Sequence, residues 1–92
     1  MTLEGMGKPL GCKLIRLNAD INAGIIQSIR IRGDFFASPE EGFDRVEQRL
    51  RGISFKEVAA TFDRLLQEEG VQVFGISGEG VASVLFSARG AV

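Results

Sequence analysis

Residues 31–41 read Ile31-Arg32-Gly33-Asp34-Phe35-Phe36-Ala37-Ser38-Pro39-Glu40-Glu41. Before this stretch the apolar residues alternate as in a β-hairpin; after it most recur at helical spacing. Gly33 suits the end of a strand, because a residue without Cβ reaches backbone angles closed to others. Phe35 and Phe36 set two rings beside the turn, where an aromatic side chain can anchor it to a core. Ser38 stands where an N-cap belongs, Pro39 suits the first helical position, and Glu41 has capping-box spacing from Ser38. Glu40 and Glu41 also face the positive end of the helix dipole. The stretch predicts the change from sheet to helix, and with it an α+β fold.

Working outward, residues 13–21 place Ile15, Leu17, Ala19 and Ile21 on one face and Arg16, Asn18 and Asp20 on the other, the period of a half-buried strand. Asn22-Ala23-Gly24 is a turn, and the return strand over residues 25–33 is expected to bury Ile25, Ile29 and Ile31 and to expose Ser28, Arg30 and Arg32. Ile26 and Gln27 break that alternation near the turn. A sheet with one apolar and one polar face fits an antiparallel sheet covered by helices on one side. Residues 1–10, with two glycines and a proline, read as a flexible lead.

Downstream, residues 39–51 form a helix whose inward stripe is Phe43, Val46 and Leu50, stopped by Gly52. Ser54 and Glu57 have capping-box spacing and Ile53 and Val58 staple spacing for a second helix. Its apolar face is Val58, Ala59, Phe62, Leu65 and Leu66, and Gly70 ends it. Residues 71–76 alternate weakly, as a short third strand or an extended connector. Val81, Val84, Leu85 and Ala88 fall at i, i+3, i+4 and i+7, which predicts a third helix capped by Ser77 and closed by Gly90. The expected fold is a small antiparallel sheet, a hairpin plus a candidate third strand, packed with about three helices.

The 92 residues suit one domain, residues 1–92, with 25% charged side chains and a formal charge of 11 − 12 = −1. Such a balance gives no general field for nucleic acid or an anionic membrane. No apolar run approaches the length of a membrane span, and residues 1–8 lack the pattern of a signal peptide. The single cysteine, Cys12, has no internal partner, which fits a reducing, cytoplasmic setting.

Histidine is absent, which removes the commonest general base and metal ligand. Neither a Walker-type phosphate loop nor a dinucleotide fingerprint is present. Glu40 with Glu41, and Glu68 with Glu69, are paired acids that helix ends account for without chemistry. Arg32-Gly33-Asp34 spells an integrin-recognition tripeptide, read here as coincidence. No catalytic residue and no metal ligand are therefore expected. What remains is a basic row, Arg16, Arg30 and Arg32, on the exposed hairpin face, and Lys13, which can reach a partner's phosphate or carboxylate.

Gly11-Cys12-Lys13-Leu14-Ile15-Arg16, a glycine-closed hairpin, and Gly33-Asp34-Phe35-Phe36 followed by Pro39-Glu40-Glu41 together resemble the accessory domain of lipoate–protein ligases. The resemblance spans residues 8–76 and fits a helix over 77–88. It departs from the family pattern at Cys12, where a second glycine is expected. It implies an α+β domain similar in shape to the SufE/NifU-like iron–sulfur scaffold proteins. It also implies a ligase that adenylates lipoate with ATP and then transfers the lipoyl group to a lysine of a carrier domain. The catalytic lysine and the sites for ATP, magnesium and lipoate would belong to a large subunit, and this chain would bind no cofactor.

The expectation is thus a non-catalytic accessory subunit, part of an adenylate-forming ligase. It would dock on the large catalytic subunit through Lys13, Arg30, Arg32, Gly33, Asp34 and Phe36. A lipoyl-acceptor domain is a further candidate partner; nucleic acid and membrane are not. The rival is a sulfur-relay or iron–sulfur scaffold protein using Cys12 as a persulfide carrier, although a cluster scaffold needs several cysteines. A domain with an unrelated binding task is the third reading.

Overall fold

A computed structural model describes residues 1–90. The order of elements is β1 (Thr2–Gly7), β2 (Ile15–Asn22), β3 (Ile25–Gly33), β4 (Phe36–Ser38), α1 (Glu40–Arg49), a 3₁₀ turn (Phe55–Glu57), α2 (Val58–Glu68), β5 (Gln72–Phe74) and α3 (Gly78–Gly90). The class is α+β, as the hairpin-then-helix patterning predicts. β1, β2 and β3 form an antiparallel sheet in that order, and β4 and β5 form a separate two-stranded antiparallel ribbon.

The core lies between one face of the three-stranded sheet and the helices. Ile15, Leu17, Ala19, Ile29 and Ile31 meet Val46, Leu50, Val58, Phe62, Leu65, Val81 and Leu85 there, all buried. The helical stripes read from spacing are the ones that enter the core. Ala59 and Ala88 join them at its margin.

Four local expectations need correction. Residues 2–7 are not a flexible lead but strand β1, paired along β2, with Leu3 buried. Pairing supplies what propensity did not: the Ile21 N–H donates to the Met1 carbonyl, and the Met1 amine donates to the Ile21 carbonyl. In β3, Ile26 is fully buried and Ile25 is 36% exposed, the reverse of the expectation. Asp20 lies opposite Ser28 but Ile21 opposite Ile26, so Gln27 is an extra residue in β3. A bulge of this kind inverts the inward face beyond it. Third, Ser38 does not cap α1. It ends β4 opposite Gln72, and Pro39 takes the N-cap position with no side-chain cap. Fourth, Ser54 opens a 3₁₀ turn by accepting from the Lys56 N–H rather than from Glu57, and α2 begins only at Val58.

The start of α3 has the cap read from the sequence, Ser77, and a second one, Asp63, that spacing did not indicate. The Ser77 hydroxyl accepts from the Gly80 N–H at 3.1 Å, and the Asp63 carboxylate of α2 accepts from the Gly78 N–H at 2.8 Å. Glu68 and Glu69, unfavourable at a helix C-terminus by the dipole alone, are held by arginines. Arg49 pairs with both, Arg45 with Glu69 and Arg64 with Glu68. The Arg45 and Arg49 pairs join α1 to the end of α2, and Arg64–Glu68 lies within α2.

Candidate functional site: an aromatic patch on the ribbon

The patch begins where β3 ends. Gly33 has φ +148°, and a Cβ there would run into the Leu14 carbonyl, so the β3 end closes tightly on the chain before β2. The Asp34 N–H donates to that same carbonyl at 2.9 Å. Beyond it the two phenylalanines part. Phe35 turns inward, half-buried, its ring 5.4 Å from that of Phe43, which in turn meets Phe62 edge-on at 6.1 Å. Phe36 turns out and is 61% exposed. Neighbouring side chains along an extended segment face opposite ways, and Phe35 packs at the margin of the core.

Phe36 has a cross-strand partner that sequence reasoning missed. β4 and β5 pair Phe36 with Phe74, Ala37 with Val73 and Ser38 with Gln72. Directly opposed residues share a face of a sheet, so the Phe36 and Phe74 rings leave the ribbon side by side. Phe74 is 67% exposed, while Ala37 and Val73 pack against the core from the other face. The signal was the weak alternation of residues 71–76, which puts Val71 and Val73 in phase and Phe74 out of phase. Finding its partner required the pairing with β4.

Lys13 completes the patch. Its N–H donates to the Gly75 carbonyl at 2.8 Å, and its Nζ lies 5.8 Å from the centre of the Phe74 ring, within cation–π reach. Gly75, at φ +85°, lets the chain pass so near that a Cβ would strike the Lys13 side chain. Beside the rings runs a groove of ≈ 480 Å³, bordered by Phe35, Phe36, Gly33 and Arg32.

Of the residues expected at the docking surface, the structure links Lys13 and Phe36 through Phe74, with Gly33 on the groove wall and Asp34 exposed at the turn. Arg32 is committed elsewhere. Its Nη1 donates to Glu47 Oε2 at 2.9 Å and to the Ile31 carbonyl at 2.8 Å, and the same carboxylate oxygen accepts from the Ile31 N–H at 2.7 Å. Glu47, buried on α1, thereby closes the free edge of β3, a role spacing alone does not reveal. Arg30 does not join the patch: it lies opposite Asn18 on the open face of the sheet and borders a second groove of ≈ 410 Å³.

Cys12 is buried, its Sγ 3.7 Å from the Ser77 hydroxyl, and a Cβ at Gly80 would come within 2.6 Å of it. It is a packing residue against the start of α3. Among the described residues, no three histidine, cysteine, aspartate or glutamate side chains converge as metal ligands, and no helix is long and apolar enough to cross a membrane. The patch can bind a surface; its side chains offer no nucleophile with a base beside it.

A profile of the family described as the bacterial lipoate protein ligase C-terminus matches residues 12–77. Lipoate-protein ligase A subunit 2 of Thermoplasma acidophilum is 42% identical over 45 residues, 49% of this chain and 48% of that protein. That match thus spans about half the length of the curated relative. Across nearly the whole chain, the fold superposes on a solved structure from the same organism, an archaeal lipoylation system comprising a bi-partite lipoate protein ligase and its E2 lipoyl domain. The TM-score is 0.76 at 30% identity, over 92% of this chain and 94% of that one.

Proposed function

The chain belongs to the family of the bacterial lipoate protein ligase C-terminus, and from that premise we propose that it is the non-catalytic accessory subunit of a lipoate–protein ligase. It docks on a separate large catalytic subunit, which holds ATP, magnesium and lipoate. The observation that carries the reading is the pair of exposed rings, Phe36 and Phe74, displayed together at the family-motif turn with Lys13 beside them. Exposed aromatics beside a basic side chain are the kind of anchor on which interfaces concentrate their affinity.

The proposed action is conformational. Seated on the large subunit, the ribbon orders the loops around the adenylation site and keeps water from the activated acyl group. Lys13 contributes a point charge at the rim, where it meets a carboxylate or carbonyl of the partner. Arg32 is held by Glu47 and borders the groove, its side chain half exposed.

The test is lipoate-dependent pyrophosphate release from ATP by the large subunit, with and without this chain. The expected result is that the chain alone releases none and that its addition stimulates the large subunit in proportion to complex formed. Release by the purified chain alone would overturn the accessory reading, as would full activity of the large subunit with no complex formed.

A further inference from the structure

We propose that the open face of the three-stranded sheet, centred on Arg16 and Arg30, receives the acidic side of the acceptor protein whose lysine takes the lipoyl group. This surface is separate from the aromatic patch that holds the large subunit, and the inference rests on the accessory-subunit reading.

All the helices cover one face of the sheet. The other carries Arg16, Asn18 and Asp20 on β2 beside Ser28, Arg30 and Arg32 on β3, and among the described residues no element packs on it. The register sets Arg16 directly opposite Arg32. Like charges at directly opposed positions destabilise a sheet, and Glu47 relieves only Arg32. No ion pair engages Arg16 or Arg30 among the described residues. Of the acids nearby, Asp20 is taken by the Met1 amine at 3.3 Å, Glu4 sits at the far end of the row through Asn18 to Arg30, and Asp44 lies at the rim of the second groove. The cluster opposes the fold's stability and serves no internal contact, so its counter-charge comes from outside.

The character of this face indicates the kind of partner. Its large apolar side chains are Met6 and, beyond the bulge at its far end, Ile25, too separate to make the apolar core that lasting interfaces have. Charged surfaces without one act mainly through steering and association rate, which suits a partner that arrives and leaves. In a ligase whose subunits are held at the ribbon, the protein that exchanges at every turnover is the acceptor. An overall charge of −1 does not favour the extended basic surface that nucleic acid requires.

The test uses the assembled two-subunit ligase with an unlipoylated E2 lipoyl domain as probe. Transfer rate is followed against domain concentration at low and high salt, and pyrophosphate release is followed without the domain. Arg16→Glu should raise KM for the domain several-fold at low salt, the scale of lost steering, while leaving kcat and pyrophosphate release at the wild-type level. The KM should also become less sensitive to salt, and Arg16→Lys should restore most of the effect. An unchanged KM would overturn the proposal. So would loss of the subunit complex in Arg16→Glu, which would make this face the large subunit's seat. Two other results would do the same: self-association of the isolated chain that Arg16→Glu abolishes, or binding of an oligonucleotide that it abolishes. If the wild-type subunits never form a complex, the accessory reading itself fails and this inference with it.

Discussion

In the three-stranded sheet, Ile15, Leu17, Ile29 and Ile31 all point beneath the helices; in the ribbon, β4 and β5 turn Phe36 and Phe74 to solvent side by side. Both are antiparallel, and both show an apolar side to the core. The sheet's register is fixed by that burial, since a one-residue slip would expose its whole inward set. The ribbon has three residues per strand and rests on Ala37 and Val73 beneath and the Lys13–Gly75 backbone bond at its end. A pair of strands this short is not stable alone, so the domain supports the ribbon rather than the reverse. Burying a phenylalanine is worth about 1.5–3 kcal/mol, and the fold forgoes most of that twice at adjacent positions. The sheet serves stability, and under the proposed function the ribbon serves contact.

The largest expected effect lies in the core. Phe62→Ala should cost about 3–5 kcal/mol in urea unfolding, the usual loss for a buried phenylalanine, whereas Phe36→Ala or Phe74→Ala should cost less than about 1 kcal/mol. Equal losses would mean that the ribbon rings belong to the core. The bulge in β3 gives the next largest effect. Ile26→Ala should destabilise by about 2–4 kcal/mol and Ile25→Ala by under about 1 kcal/mol; the reverse ranking would place the sheet in the unbulged register. Phe35, half-buried between the two regions, should lose about 2 kcal/mol on truncation to alanine, measured by the same unfolding curves.

How legible each region was follows the same division. The inward faces of β2, α1, α2 and α3 could be read because burial imposes a period on the sequence, and Phe43, Val46, Phe62, Leu65, Val84 and Leu85 keep it. β1 was not legible, because its glycines are poor strand formers and its strand state comes from pairing with β2. Gln27 gave a visible break in alternation, yet only the pairing shows that it is an inserted residue. At the site, the turn at Gly33-Asp34-Phe35-Phe36 and the outward Phe36 could be read from order and spacing. Phe74, Glu47 and the separation of Arg30 from the ring patch could not, because each depends on a partner more than ten residues away.

A smaller effect concerns acid. Hydrogen bonding to Arg49, then Arg64, holds the Glu68 carboxyl below its ordinary range, and Arg45 does so first for Glu69; Arg49 is raised in return, chiefly by Glu68. A carboxylate pKa lowered by folding contributes stability above its unfolded value, and that contribution is lost as pH falls through the folded one. Thermal unfolding should therefore show a modest fall in Tm as pH drops below about 4.5. The part of that fall due to these pairs should vanish in Glu68→Gln/Glu69→Gln and shrink in high salt. An unchanged pH dependence in the double variant would show that the bridge between α1 and α2 is idle.

The most direct test of the ribbon as the contact element is titration of the Phe36→Ala/Phe74→Ala double variant against the large catalytic subunit, with Tm recorded on the same preparation. The account predicts a Tm within a few degrees of wild type, affinity lowered by about tenfold or more, and stimulation of lipoate-dependent pyrophosphate release that returns when the variant is supplied in excess. A variant that melts normally and binds with wild-type affinity would contradict it.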